Sequence, residues 1–304
     1  MNRNLKNLLT QIPHLRRAFG ALTAVTEQGA FPAGHYYSPI PKRTDVLSYL
    51  ESLKKEHIEL PDIKLNKDQQ AQLLEIFQTF YEDLPFSEEK TDDLRYYFSQ
   101  SWFCYGDAIF LYCFLRHTNP KTIIEVGAGF SSAVILDTTE KFLSQPPSIT
   151  FIEPYPERLK SLLKPQDFES CQTIEKRVQD VSLNVFSSLN EGDILFIDSS
   201  HIVKFGSDLQ FLLFKVLPLL PVGVFVHFHD IFYPFEYPEA WLRDGRYWNE
   251  AYLLRAFLAY NNEWEVYFFN NYAAKFFDDF LAQKMPLCLK NKGGSIYLRR
   301  VRKD

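Results

Sequence analysis

The chain has 304 residues, 46% of them hydrophobic, and its 38 acidic and 33 basic side chains leave a formal charge of −5. That length and apolar content suffice for one large domain or one domain with an elaborate cap. The mixed charges leave no basic stripe for a phosphate backbone, which argues against nucleic acid as a partner. The opening MNRNLKNLLTQIPHLRRAFG lacks the continuous apolar stretch of a leader, and no later run reaches the length that spans a bilayer. Cys104, Cys113, Cys171 and Cys288 lack the spacing of a zinc knot or a disulfide framework. The expectation is a cytoplasmic protein with reduced thiols and no membrane association.

Residues 1–118 read as a helical or irregular cap on the substrate side, with Leu73, Leu74, Phe77, Phe80 and Tyr81 at helical spacing and FPAGHYYSPIP and EEKTDD as surface loops. From Lys121 the pattern changes to short apolar runs separated by amphipathic stretches. TIIEV, ITFIE, a weak TIEKR, DILFID, GVFVHFHD, WEVYFFN and SIYLRR read as strands in chain order. SSAVILDTTEKFL, PERLKSLL, SLNVFSSL, SDLQFLLFKVLPLL and RYWNEAYLLRAFLAY read as helices, with Ser131, Pro156 and Ser182 at three of the starts. Such an order predicts an α/β domain over 119–304, a doubly wound, mostly parallel sheet with its ligand cleft at the carboxyl ends of the strands.

The first position to examine is therefore Glu125-Val126-Gly127-Ala128-Gly129-Phe130-Ser131-Ser132, where glycines let the backbone turn tightly against a ligand and the Glu125 carboxylate can face the cleft. Glu153, followed by Pro154, ends the second strand, where a carboxylate can accept both hydroxyls of a ribose. Asp180 follows the third strand and can accept an adenine amino group or simply cap a helix. Together these residues resemble the class I S-adenosylmethionine-dependent methyltransferases over roughly residues 121–300. The resemblance implies a Rossmann-like domain and S-adenosyl-L-methionine as cofactor. It places Glu125, Gly127 and Gly129 under the methionine and ribose, with Phe130, Ser131, Pro154 and Asp198 beside them, Glu153 on the ribose and Asp180 near adenine. Ser131 stands where many members have a third glycine. An NAD(P)-dependent oxidoreductase shares the turn, but Ser132 breaks the GxGxxG pattern and dinucleotide binding gives no role to Glu125 or Asp180.

Methyl transfer from an activated donor asks the protein to position and deprotonate the acceptor. After the fourth strand come Asp198 and His201, and after the fifth His227, His229 and Asp230. Strand alternation sends His227 and His229 to one side and Asp230 to the other. Asp198, His229 and Asp230 can hold one divalent cation, for which oxygen ligands suggest Mg2+, and His201 can serve as general base, with Asp198 and Asp230 as its catalytic partners. The plainer reading is histidines bonded to backbone carbonyls and aspartates capping loops. The Asp-x-x-His after strand four and the acidic end of strand five are similar to those of metal-dependent sugar O-methyltransferases acting on macrolide glycosides. That likeness implies Asp198 and Asp230 as metal ligands and His201 as base, and His229 stands where that group has an acidic ligand. GHYYSPIP, RYYF, FIDSSH and VHFHDIFYPFEYP together resemble a group of uncharacterised bacterial methyltransferase-like proteins.

After Asp230, Tyr233, Trp241, Arg246 and Trp248 lie in an aromatic and charged segment suited to stacking on a sugar ring and bonding its hydroxyls, or else to packing as a loop. Tyr36 and Tyr37 can close the pocket from the cap, and Asp107 can join them. The expected function is methyl transfer from S-adenosylmethionine to a hydroxyl on a small or glycosidic metabolite. The rival from another class is a ligand-binding protein that keeps the fold without turnover. Association into a homo-oligomer is left open.

Overall fold

The computed structural model describes residues 30–53 and 59–301. The opening segment read for a leader lies outside the described residues. Among those described, no helix is long and apolar enough to cross a membrane.

Seven strands form, the third ahead of the expected TIEKR and sharing only Thr173 and Ile174 with it: β1 (Thr122–Val126), β2 (Ser148–Ile152), β3 (Cys171–Ile174), β4 (Ile194–Ile197), β5 (Phe225–Phe228), β6 (Trp264–Phe269) and β7 (Ile296–Arg300). They make one sheet in the order β3-β2-β1-β4-β5-β7-β6. Pairing is parallel from β3 through β5, and β7 runs antiparallel to both neighbours. Every residue of β4 and β5 is buried. Continuous apolar runs such as ILFI mark strands covered on both faces. The chain leaves β1 toward β2 and β3, then returns to β4 on the other side of β1. A crevice opens at such a reversal, beyond the carboxyl ends of β1 and β4, which places the glycine turn and Asp198 at its lip.

Eleven α-helices, three of them no longer than five residues, are labelled along the described chain as α1 (Arg43–Leu53), α2 (Lys67–Tyr81), α3 (Tyr105–Thr118), α4 (Phe130–Phe142), α5 (Glu157–Leu162), α6 (Asp167–Ser170), α7 (Asp208–Phe211), α8 (Glu239–Arg243), α9 (Glu250–Leu258), α10 (Asn270–Phe276) and α11 (Asp278–Lys284). Two expected helices take other forms. SLNVFSSL winds as a 3-10 helix, Leu183–Ser188, with the Ser182 hydroxyl accepting from the Asn184 amide. In SDLQFLLFKVLPLL, α7 widens into a π turn over Leu212–Val216 and ends in a 3-10 turn, Leu217–Leu219. Pro218 lacks the amide that would continue an α-helix, and its ring clashes with the preceding turn.

The chain divides into two compact units, and the boundary differs from the one expected at 118/119. The larger unit spans Ile58–Tyr237 and Trp248–Asp304. Its core includes Leu73, Leu74 and Phe77 of α2 and the buried run of α3 from Ala108 to Leu115. A helix apolar on every side must be enclosed, so α3 belongs with the sheet and not to a cap. Gln70 and Asn66 also serve the sheet: Gln70 Oε1 accepts from the Phe269 amide at 2.9 Å, and Asn66 Nδ2 donates to the Val266 carbonyl at 3.1 Å. These bonds occupy backbone groups on the outer edge of β6 that would otherwise invite another strand.

Buried Arg95, from the RYYF motif, ties its segment to α4 and α6. Its guanidinium donates to Asp137 at 2.7 Å and to Asp167 at 2.6 and 2.8 Å.

The smaller unit spans Met1–His57 and Pro238–Tyr247. Within it Arg243 of α8 pairs with Glu239 at 2.5 Å and with Glu51 of α1 at 3.4 Å. The GHYYSPIP loop closes through the Gly34 amide on the Ile40 carbonyl at 2.9 Å, and its rings group together, with Tyr36 and Tyr37 4.2 Å apart.

Candidate functional site

The donor end of the crevice is built by the turn between β1 and α4. Gly127 has φ +83°, and a Cβ there would collide with the Asp198 carbonyl, so the turn can pass the end of β4 only as glycine. Glu125, expected to face the cleft, is fully buried instead. Ser131 Oγ donates to one of its oxygens at 2.5 Å and Ser132 Oγ to the other at 2.6 Å, while Ser132 Oγ also accepts from the Gly129 amide at 2.9 Å. The serines that replace glycines in the pattern thus draw the carboxylate inward and brace the turn. Burial pushes the Glu125 carboxyl up to about 8, with the two hydroxyls opposing and Asp198 and Glu153 adding to the rise.

Glu153 lies at the end of β2, as expected, and its oxygens accept from the Ala128 amide at 3.2 Å and the Tyr155 amide at 2.8 Å. Pro154 follows it, half-buried, and Phe130 packs edge-on against Tyr97 at 5.7 Å. Asp180 is exposed and bonded to Arg177 at 2.8 and 3.1 Å, in a 3-10 turn, rather than capping a helix.

The reaction end gathers side chains from four places. His201 and Asp230 both adopt left-handed backbone, φ +59° and +58°. Residues with a Cβ pay a steric cost there, and such geometry tends to cluster at functional sites. The turn at Asp230 overrides the strand alternation and brings its carboxylate to the side of His229. His229 Nδ1 lies 3.2 Å from Asp198 and 3.8 Å from Asp230. His201 Nε2 lies 3.5 Å from Asp198 and 3.6 Å from Asp230.

Behind each ring stands another carboxylate. Glu250 Oε2 is 2.8 Å from His201 Nδ1, and Asp107 Oδ2 is 3.4 Å from His229 Nε2. Asp107 is itself held by the Ser295 hydroxyl at 2.5 Å, the Gly294 backbone amide at 3.0 Å and Asn270 Nδ2 at 3.1 Å. Nothing in the sequence paired Glu250 with His201. It reaches His201 because the start of α9 is stitched to the loop after β4: the Asn249 and Glu250 amides donate to the His201 carbonyl at 3.3 Å, and Asn249 Oδ1 accepts from the Val203 amide at 2.6 Å.

Both nitrogens of each ring face carboxylates, which favours the imidazolium form, although only His201 Nδ1 is hydrogen-bonded and His229 Nδ1 has no hydrogen-bond partner among the described residues. Burial alone would depress His201, but Asp198 and Glu250 outweigh it and raise the ring to about 10. His229 is likewise raised, against burial, by Asp230, Asp198 and Asp107. Asp198 is held well below the usual carboxylate range by the two rings despite burial, whereas burial lifts Asp230 above it. His227 takes no part: it is stacked on Phe196 at 3.8 Å in the core, and burial keeps it neutral.

Asp198, His229 and Asp230 do meet, yet among the described residues no group of three or more His, Cys, Asp or Glu side chains is arranged to hold a metal ion. The set offers two carboxylates and one ring nitrogen, and Mg2+ favours oxygen.

On the acceptor side, the Trp248 ring lies 4.3 Å from His201 at 30°, with Tyr237 edge-on behind it at 6.0 Å. Tyr233 packs elsewhere, 5.3 Å from both Tyr272 and Phe276 of α10 and with the Lys275 ammonium 4.9 Å from its ring. Trp241 and Arg246, stacked at 5.1 Å, belong with Tyr36 and Tyr37 to the smaller unit.

Strand order, glycine turn and acidic strand ends together define the methyltransferase class of doubly wound proteins. A family model described as a methyltransferase domain matches residues 124–231. The chain is 34% identical, over 170 residues, to an uncharacterised protein of Archaeoglobus fulgidus, covering 54% of this chain and 76% of that one. It belongs to the same family, and its sheet-bearing part is a methyltransferase domain. Among solved structures, the SAH-bound methyltransferase PaMTH1 of Podospora anserina is 15% identical, covering 88% of this chain and 99% of its own, at a TM-score of 0.42. The SAM-bound O-methyltransferase TomG of Streptomyces achromogenes is 14% identical, covering 85% and 96%, at 0.39. Superpositions this loose leave the fold argument to the strand order itself.

Proposed function

We propose that the protein transfers a methyl group from S-adenosylmethionine to a hydroxyl oxygen of a small, sugar-bearing metabolite, in the cytoplasm, where its four free cysteines stay reduced. The observation that carries this reading is the convergence of Asp198, Asp230, His201 and His229 beside the Gly127 turn. As an acceptor oxygen attacks the methyl carbon, the carbon–sulfur bond breaks, neutral S-adenosylhomocysteine leaves, and positive charge moves from sulfur to the acceptor O–H. Carboxylates fixed at that end favour the charge where it arrives.

The protonated ether formed by attack is strongly acidic, so a carboxylate suffices to take its proton. Asp230, raised by burial and partly open to solvent, suits that role better than His201, which is already protonated at neutral pH. His201 then orients Asp230, with Glu250 holding the ring. Trp248, beside His201, offers an aromatic face for the acceptor.

The test is calorimetric titration with S-adenosylhomocysteine, with NADH as control, followed by a screen of hydroxylated glycosides for S-adenosylhomocysteine release. Micromolar binding, about −8 kcal/mol, is expected for the adenosyl ligand. Asp230→Asn should lower turnover by about a hundredfold or more and leave that affinity within about twofold. Tighter NADH binding would sink the methyl-donor reading. Full turnover by the Asn variant would move the proton acceptor elsewhere.

A further inference from the structure

Resting on the donor reading above, we infer that Arg158 anchors the α-carboxylate at the methionine end of S-adenosylmethionine. The crevice is rich in carboxylates: Glu153, Asp198 and Asp230 all lie at its strand ends. A ligand carrying its own carboxylate is repelled from such a place unless a cation receives that group. The basic side chains nearby are mostly committed. Lys160 pairs with Glu175 at 2.5 Å, Lys164 with Glu140 at 3.6 Å, and Arg177 with Asp180 at 2.8 Å. Arg158 makes no ion pair among the described residues, and it is placed at the turn.

Its geometry shows how it is held there. Arg158 sits in the first turn of α5, five residues after Glu153, and its side chain runs back over the glycine turn, where a Cβ on Gly129 would press against its Cδ at 3.3 Å. Gly129 thus makes room for an arginine stem as well as for a ligand. The guanidinium then lies over the Trp102 ring, 3.7 Å from its centroid. Trp102 is fixed in turn by its own amide on Gln100 Oε1 at 2.7 Å, and Gln100 bonds the Phe103 carbonyl at 2.5 Å. Stacking fixes the guanidinium plane while leaving its N–H edges open to receive a carboxylate by two parallel bonds. Glu153, whose Oε2 meets the Ala128 amide, marks the ribose side of the same turn. Ribose and amino-acid carboxylate would therefore be gripped from opposite ends of one loop, by an acid and a base that the β2–α5 connection delivers together.

The probes are S-adenosylhomocysteine and 5′-methylthioadenosine, which shares the nucleoside and sulfur but lacks the amino-acid end. Calorimetry on the full chain compares wild type, Arg158→Ala, Arg158→Lys and Trp102→Ala, with thermal melting as the check on folding. Arg158→Ala is expected to weaken S-adenosylhomocysteine about ten- to hundredfold and to leave methylthioadenosine within about twofold. Lysine should restore only part of the loss, because it cannot make the planar two-point contact. Trp102→Ala should weaken S-adenosylhomocysteine by a smaller factor, again sparing methylthioadenosine. An unchanged S-adenosylhomocysteine affinity in Arg158→Ala overturns the inference, and so does an equal loss for both ligands. Binding of neither ligand by the wild-type chain would instead remove the donor reading on which it stands.

Discussion

Glu125 is a carboxyl buried with two serine hydroxyls and, among the described residues, no ion pair, and that imbalance has a measurable sign. Its folded value of about 8 lies above the ordinary 4.5, so folding favours the protonated form. The stabilisation is complete below pH 4.5 and is lost as pH rises through about 8. Urea unfolding between pH 5 and 9 should show the wild type weakening toward alkaline pH, with Glu125→Gln flattening that slope. A wild type that instead gains stability over this range would mean that Glu125 is ionised in the native state. The acidic residue of the motif was legible from its place at a strand end, but its direction was not. Periodicity puts a side chain on a face and says nothing about two hydroxyls six and seven residues later. Glu250 was hidden for a related reason, since 49 residues separate it from His201 and only the stitching of α9 to the loop after β4 brings them together.

At the scale of elements, six strands were legible because each is a short apolar run bounded by a change of composition, whereas the weak TIEKR shares only Thr173 and Ile174 with the half-buried strand that forms at Cys171–Ile174. Helical segments were less so: Pro218 forbade a continuous helix after α7, and α8 lies inside a stretch that reads as an aromatic loop. The RYYF motif is the clearest case of a recognisable string whose work is structural. Arg95 is buried and pairs with Asp137 and Asp167, joining its own segment to α4 and α6. Removing one partner of a buried pair strands the other charges, so Arg95→Met should lose about 3–5 kcal/mol in urea unfolding. Adding Asp137→Asn and Asp167→Asn to that variant should recover part of the loss, because the stranded charges go with them. If the triple variant is less stable than the single one by the sum of its parts, the clamp is not acting as a unit.

For the whole molecule, the question is where the independently stable part begins. The change of pattern at Lys121 was read as a boundary because strand–helix alternation starts there. That alternation locates the sheet but not what covers it. Ile109, Phe110, Leu111, Phe114 and Leu115 of α3 are fully buried. At about 1.5–3 kcal/mol each they contribute on the order of 10 kcal/mol, comparable with the whole net stability of a domain. A chain starting at residue 119 should therefore fail to fold, exposing apolar surface to a dye such as ANS and melting without a cooperative transition. A chain starting at Ile58 keeps α2, α3, the sheet, the glycine turn and the histidine–aspartate cluster, and loses most of the smaller unit. It should unfold cooperatively and bind S-adenosylhomocysteine within about threefold of the full chain, since a change of that size is well under 1 kcal/mol. A cooperative fold for the shorter chain would restore the boundary at 118. Loss of ligand binding by a well-folded chain from Ile58 would assign the smaller unit a part in holding the donor.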